Sequence, residues 1–352
     1  MVTLIALAGV ALVGGLLLQV TGFPPVAAYR DILVSSFGGS FAWARTLISS
    51  TPIIFTALAA AVAFRARIWN IGGDGQFIVG AIAASFVALS LGPSLPGSVV
   101  IVLALVGGVV GGALWASIAA FPRSYLGTDE VISTLMLNFV ALYLMNYLIF
   151  GSLSFWRETV DATFPSGRAI PGSTELPQLW LRLHMGFLIA VACAVACWFL
   201  LRSSRWGFDL RVIGDSPVAA RYAGINVTRR TLGVLVISGA FAGLGGAVEI
   251  LGTTFALSPG SLSAGVGYVG IVVAAVAGLN PLAIVVVAIL LAGFTNAGTS
   301  LQILGVPGQL VILLQGLALL FVAGAEFFRR YRLSLERPQI ERDTPTATER
   351  AA

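Results

Sequence analysis

Long apolar stretches alternate with short polar breaks along this chain, and the stretches have the length of a bilayer crossing. About ten of them approach the ~20 residues that such a crossing needs. They fall near 2–20, 45–64, 75–92, 97–121, 129–150, 186–201, 231–251, 266–279, 282–300 and 306–328. The pattern predicts an all-α fold, a polytopic membrane bundle of about ten transmembrane helices, taken as two inverted repeats. The stretch at 266–279 is short and glycine-rich, so a broken or re-entrant helix is expected there. The first stretch lacks a basic leader and a small-residue cleavage site, and it reads as a retained helix. The Pro-, Gly- and Trp-rich break from Gly151 to Met185 is expected outside the membrane, with interfacial helices. Residues 1–332 thus form one transmembrane domain, and 333–352 a disordered cytoplasmic tail.

Composition agrees with that class. Hydrophobic residues make up 58% of the 352, charged residues only 10%, and mean hydropathy is +0.96. A soluble core does not need that excess. All 20 basic residues are arginine, which excludes a lysine-dependent phosphate loop on this chain. The arginines also orient it. With the N-terminus inside, Arg65, Arg67, Arg123, the six between 202 and 230, and Arg329, Arg330 and Arg332 fall on the cytoplasmic side. Arg30, Arg45, Arg157, Arg168 and Arg182 fall outside. The positive-inside bias therefore places both termini in the cytoplasm, Asp215 inside and Ser166 outside. It also accounts for the basic pI without nucleic acid.

The break from Arg202 to Arg230 carries six arginines against Asp209 and Asp215. Inside it a short helix is punctuated at both ends. Ser216 is the expected N-cap, Pro217 the first helical residue, Val218 to Ala223 the body, and Gly224 the left-handed stop. Ala219, Ala220, Arg221 and Tyr222 form its surface, with Val218 and Ala223 adding apolar area. A lipid-facing bundle has no structural need of this element, so a cytoplasmic partner is expected to dock on it.

A second stretch, Phe64 to Gln76, sets Asn70, Asp74 and Gln76 among three glycines. Two readings stand side by side. An unwound segment there would offer polar groups to a hydroxylated solute; alternatively, Asn70 or Asp74 caps the helix that follows. Glu130, Asn138 and Asn146 recur at spacings of eight and share one helix face. Glu130 and Glu326 lie near stretch ends, where solvent is expected to reach them. Asn138 and Glu249 are the intramembrane candidates for the solute pathway. Cys193 and Cys197 share a face but find no further ligands, so they read as apolar filler and no metal or cofactor is expected. His184 precedes an apolar stretch and is placed at the interface. The runs Gly107–Gly112 and Gly239–Gly243 read as close-packing seams. The glycines from Gly265 to Gly270 match a dinucleotide fingerprint by letter alone, without its strand or acid.

Four segments together make the chain recognisable: IWNIGGDGQFIVGA (68–81), GFDLRVIGDSPVAARYAGINV (207–227), VAGLNPLAIV (276–285) and LGVPGQLVILLQGLALLFVAGAEFFRRYR (304–332). They resemble the permease subunits of bacterial ABC importers, in the simple-sugar and nucleoside uptake branch related to the ribose permease. Asp74 stands where relatives commonly have glutamate. The resemblance implies a coupling helix at Pro217–Gly224 and a second permease, identical or homologous. It also implies cytoplasmic ABC ATPase subunits and an extracytoplasmic solute-binding lipoprotein. Membrane lipid would surround the assembly in the bacterial inner membrane. An ion-coupled secondary transporter is the alternative, though it leaves the capped loop helix without a purpose. A membrane enzyme would need a catalytic constellation that one histidine and scattered acids do not supply.

Overall fold

The computed structural model describes residues 2–151, 155–158, 167–262, 265–303 and 305–330. Ser166 and the tail 333–352 lie outside them. Helices dominate: α1 (Val2–Val20), α2 (Pro25–Phe37), α3 (Ser40–Arg65), α4 (Gly73–Leu91), α5 (Gly97–Leu126) and α6 (Glu130–Asn146) come first. A two-stranded hairpin follows, β1 (Gln178–Trp180) and β2 (Leu183–His184). Then come α7 (Gly186–Ser203), α8 (Arg205–Asp215), α9 (Pro217–Tyr222), α10 (Val227–Glu249), α11 (Pro259–Leu262), α12 (Val266–Val276), α13 (Pro281–Ile303) and α14 (Gly308–Arg330). π-helical turns extend α6 to Gly151 and α10 to Thr254.

Eight helices among the described residues are long and apolar enough to cross a membrane, or nine if a bent pair counts as one span. The chain is a multi-pass membrane protein. Those eight coincide with the second to ninth expected stretches, and α1 and α14 with the first and tenth. Within the eighth, α12 runs unbroken from Val266 to Val276, and Gly265 just before it is left-handed at φ 73. α2 was not expected. It bends 119° away from α1, because Gly22, left-handed at φ 87, turns the chain after Val20, and Pro25, with no N–H to satisfy, starts the next helix. Its mixed sequence hides it from a hydropathy reading, yet Ser36 donates to Gly293 O at 2.6 Å and accepts through its carbonyl from Thr46 Oγ1 at 2.9 Å.

α3 is the central post, with every residue from Ile53 to Ala63 buried. It packs on α10, α12 and α13, while α10 packs on α3, α4 and α5. α3 also packs on α7, and α4 on α5. The two glycine runs do meet. A Cβ on Gly243 would fall on Gly108 O and lie 2.7 Å from Gly112 Cα, so α5 and α10 touch backbone to backbone. A separate small core, including Leu18, Ile32, Leu301 and Leu310, ties α1, α2, α13 and α14 together.

The expected interfacial helices of the 151–185 break are absent among the described residues. A 3-10 turn at Gly172–Thr174 and the β-hairpin stand there instead. Pro171 leads into the 3-10 turn, and the hairpin satisfies its backbone locally.

Candidate functional site: a polar knot and two end faces

α3 ends in a tight turn, with Arg67 in the left-handed region at φ 55 and Ile68 N bonded back to Ala63 O at 3.2 Å. The chain then runs without helix or strand to Gly72. Backbone groups freed this way inside an apolar bundle must find partners. One face of α6 supplies them at intervals of four residues. Glu130 Oε1 accepts from Trp69 N at 3.2 Å, and Thr134 Oγ1 from Ile71 N at 3.2 Å. Asn138 donates to Ile71 O at 2.9 Å and accepts from Gly75 N at 2.8 Å. Asn146, further along that helix, has no side-chain bond to this segment. Glu130 is buried and paired with Arg123 at 3.0 Å, which corrects its expected solvation: the arginine at the end of α5 folds over it.

Asn70 and Gln76 form a reciprocal amide pair, each donating to the other at 3.1 Å. Asn70 also donates to Ser238 Oγ on α10 at 2.8 Å, and Ser238 passes its own proton to Ala59 O of α3 at 2.7 Å. Asp74 lies in the first turn of α4, and its Oδ1 accepts from Gly267 N in the first turn of α12. A carboxylate between two helix N-termini faces both positive dipole ends. Asn138 completes the knot with a bond to Tyr268 OH at 3.1 Å.

The structure therefore gathers Asn70, Asp74, Gln76 and Asn138 into one buried cluster that joins α3, α4, α6, α10 and α12. Capping takes another form than expected. The N-cap of α4 is Gly72, without a side-chain cap; Asn70 acts one turn earlier by accepting from Gly72 N at 2.9 Å. Thr134, Ser238 and Tyr268 were not singled out in the sequence. Only the four-residue spacing of Thr134 from Glu130 and Asn138 signalled any of them. Glu249 stands apart, 11 residues beyond Ser238 on α10 and so about 16 Å away along the axis. It is half-buried, and its carboxylate has no hydrogen bond among the described residues.

At the arginine-rich end of the bundle, α8 and α9 form a small helical hairpin. Ser204 caps α8 through Gly207 N at 3.0 Å, a helix that the loop reading missed. Ser216 ends α8 and caps α9, accepting from Ala219 N at 3.2 Å. Pro217 opens α9, Ala223 closes it, and Gly224 turns left-handed at φ 78. Asn226 then caps α10 through Arg229 N at 3.0 Å, so that helix begins earlier than its apolar stretch. Val218, Ala219, Arg221, Tyr222 and Ala223 are exposed, Tyr222 by 90%. Ala220 is fully buried, which corrects its place in the exposed surface: on this six-residue helix it faces the protein. A cavity of about 800 Å³ opens behind the hairpin, lined by residues that include Arg67, Arg123, Asp215 and Arg221.

The other ends of α3 and α10 frame a cavity of about 570 Å³ under the β-hairpin, whose walls include Phe41, Arg45, Glu175, Gln178, Arg182 and Phe255. Among the described residues, Glu175, Gln178 and Arg182 make no side-chain hydrogen bond or ion pair, so their polar groups face the cavity uncommitted. Leu181 and Arg182 turn the hairpin at φ 45 and 69, and Phe255 sits at φ 56. Non-glycine residues in that region store strain. Behind the wall, His184 is buried; its Nδ1 accepts from Gly186 N at 3.1 Å, leaving Nε2–H for Thr253 Oγ1 at 3.3 Å. Burial pushes the ring down to about 4, so it is neutral at pH 7.

Residues 42–323 match a known protein family, the permease component of branched-chain amino acid transport systems. The chain belongs to that family. The permease is 34% identical to the guanosine ABC transporter permease protein NupP of Bacillus subtilis, over 90% of each chain. It is 32% identical to the glucose ABC transporter permease protein TsgB13 of Haloferax volcanii, over 95% of this chain and 89% of that one. It is 30% identical to the nucleoside ABC transporter permease protein NupB of Lactococcus lactis, over 92% and 90%. No solved structure matches it. The permease is a membrane subunit of an ABC transporter.

Proposed function

We propose that this permease carries a nucleoside or simple sugar inward, driven by ATP hydrolysed on separate cytoplasmic subunits that dock on α9. The exposed, doubly capped α9 carries the proposal. Its Tyr222 and Val218 stand free of the bundle, and a groove on an ATPase would cover them as grooves cover other short helices. α9 joins the central helix α10 within a few residues, so a shift of the docked helix is transmitted into the bundle. Differential contact with the ATPase in its two states is what moves the permease, since a ligand shifts an equilibrium only by such a difference.

A binding protein delivers the solute at the opposite face, where Glu175, Gln178 and Arg182 can engage hydroxyl groups. A second permease, identical or homologous, completes the pathway. The polar knot of Asn70, Asp74, Gln76 and Asn138 holds α12 against α4 and α6, and with Glu249 it borders the solute's route. The arginine-rich face is cytoplasmic, as are both termini. The test is a Val218→Glu, Tyr222→Ala variant of the assembled complex in vesicles. Solute-stimulated ATP hydrolysis should fall at least tenfold with the permease still folded. Unchanged hydrolysis and unchanged co-purification of the ATPase would remove α9 as the docking site.

A further inference from the structure

Beside the α8–α9 hairpin lies a third cavity, of about 360 Å³, walled by Arg65, Trp198, Leu201, Arg202, Arg211 and the turn from Gly278 to Pro281. Three guanidiniums meet there and no carboxylate lines it. The ion pairs seen among the described residues lie elsewhere: Arg67–Asp215, Arg123–Glu130 and Arg230–Asp209. Arg211 uses one nitrogen on Leu201 O at 3.0 Å, and Arg202 lies over the Trp198 ring at 5.0 Å. The Nε of Arg65 is buried with no hydrogen-bond partner. Like charges gathered without a counter-ion repel one another, and a buried donor without an acceptor is costly. Both facts point to an anion as the missing component.

We infer that this cavity holds the phosphodiester headgroup of an anionic phospholipid. Guanidinium forks match phosphate oxygens in pairs. The position selects a lipid. The cavity sits where α3 and α7 end, and α7 exposes Leu188, Val195 and Phe199 along the face that acyl chains would cover. Trp198 stands at the level where an aromatic ring marks the membrane boundary, and basic pockets between helix ends on this side suit anionic headgroups. Arg65 closes α3, Arg202 closes α7, and Arg211 belongs to α8. A bound phosphate therefore ties two spans to the helix that precedes α9, and fixes the angle at which α9 is presented.

Native mass spectrometry of the complex purified in mild detergent tests this directly. Wild-type complex should retain phosphatidylglycerol, and an Arg65→Gln, Arg202→Gln variant should retain at least fivefold less, with phosphatidylcholine retention equal in both. An Arg205→Gln, Arg229→Gln variant, which removes the same two charges from exposed positions outside the cavity, should retain the wild-type amount and so controls for folding. Equal phosphatidylglycerol on wild type and double variant overturns the inference. Retention of inorganic phosphate with no phospholipid overturns its lipid part, and so does lipid binding to the isolated permease that vanishes when the ATPase is present.

Discussion

Asn138 shows how much one side chain can carry in a dry bundle. Its amide serves Ile71 O, Gly75 N and Tyr268 OH together. Replacing it with alanine leaves buried backbone groups without partners, at about 1–3 kcal/mol each. An Asn138→Ala variant should therefore lose several degrees of thermal stability in detergent, whatever its effect on uptake. Asp74→Asn and Gln76→Ala probe the pathway instead, since an amide can still accept from Gly267 N. Uptake should fall in both while the complex stays assembled; normal transport would assign these residues to architecture alone. His184 gives a pH signature. Its folded value, about 4, lies below the ordinary ~6.5 of an unfolded chain, so folding favours the neutral ring. That contribution is complete above pH 6.5 and is lost as pH falls from 6.5 toward 4. Thermal unfolding should show this loss in the wild type and a flatter profile in His184→Gln.

At the scale of elements, two devices set the geometry: backbone contact between α5 and α10, and capping of the loop helices. Any side chain at Gly243 must push Gly108 and Gly112 away. Gly243→Ala should cost about 1–3 kcal/mol by overpacking and lower the midpoint of thermal unfolding, whereas Gly233→Ala, where a Cβ meets nothing within 4 Å, should not. Ser216 caps α9 and closes α8, so Ser216→Ala should destabilise the hairpin by about 1 kcal/mol. The readout is faster hydrogen exchange confined to 205–224.

For the molecule as a whole, the two faces are distinct: an arginine-rich face with the α8–α9 hairpin, and a face built from the β-hairpin and the end of α10. From the arginine asymmetry we propose that the first is cytoplasmic. Single cysteines at Asp215 and at Gln178, in a background lacking Cys193 and Cys197, should then react with an impermeant reagent from opposite sides of sealed vesicles. Reaction from the same side would refute the orientation, and with it the docking of an ATPase on α9.

Hydropathy alone located eight of the membrane-crossing helices, because apolar length is a local property that a bilayer reads directly. The caps of α9 were equally legible, since Ser216, Pro217 and Gly224 act on neighbouring backbone. α2 and α8 escaped because they are amphipathic and short, and only the surfaces they pack against reveal them. The burial of Ala220, the pairing of Asn70 with Gln76 and the seat of Asp74 on the start of α12 depend on residues far apart in the chain. The last of these bonds spans 193 positions. No local pattern encodes such contacts. Non-helical backbone inside the bundle demanded donors and acceptors, and only the tertiary arrangement decided which side chains would provide them.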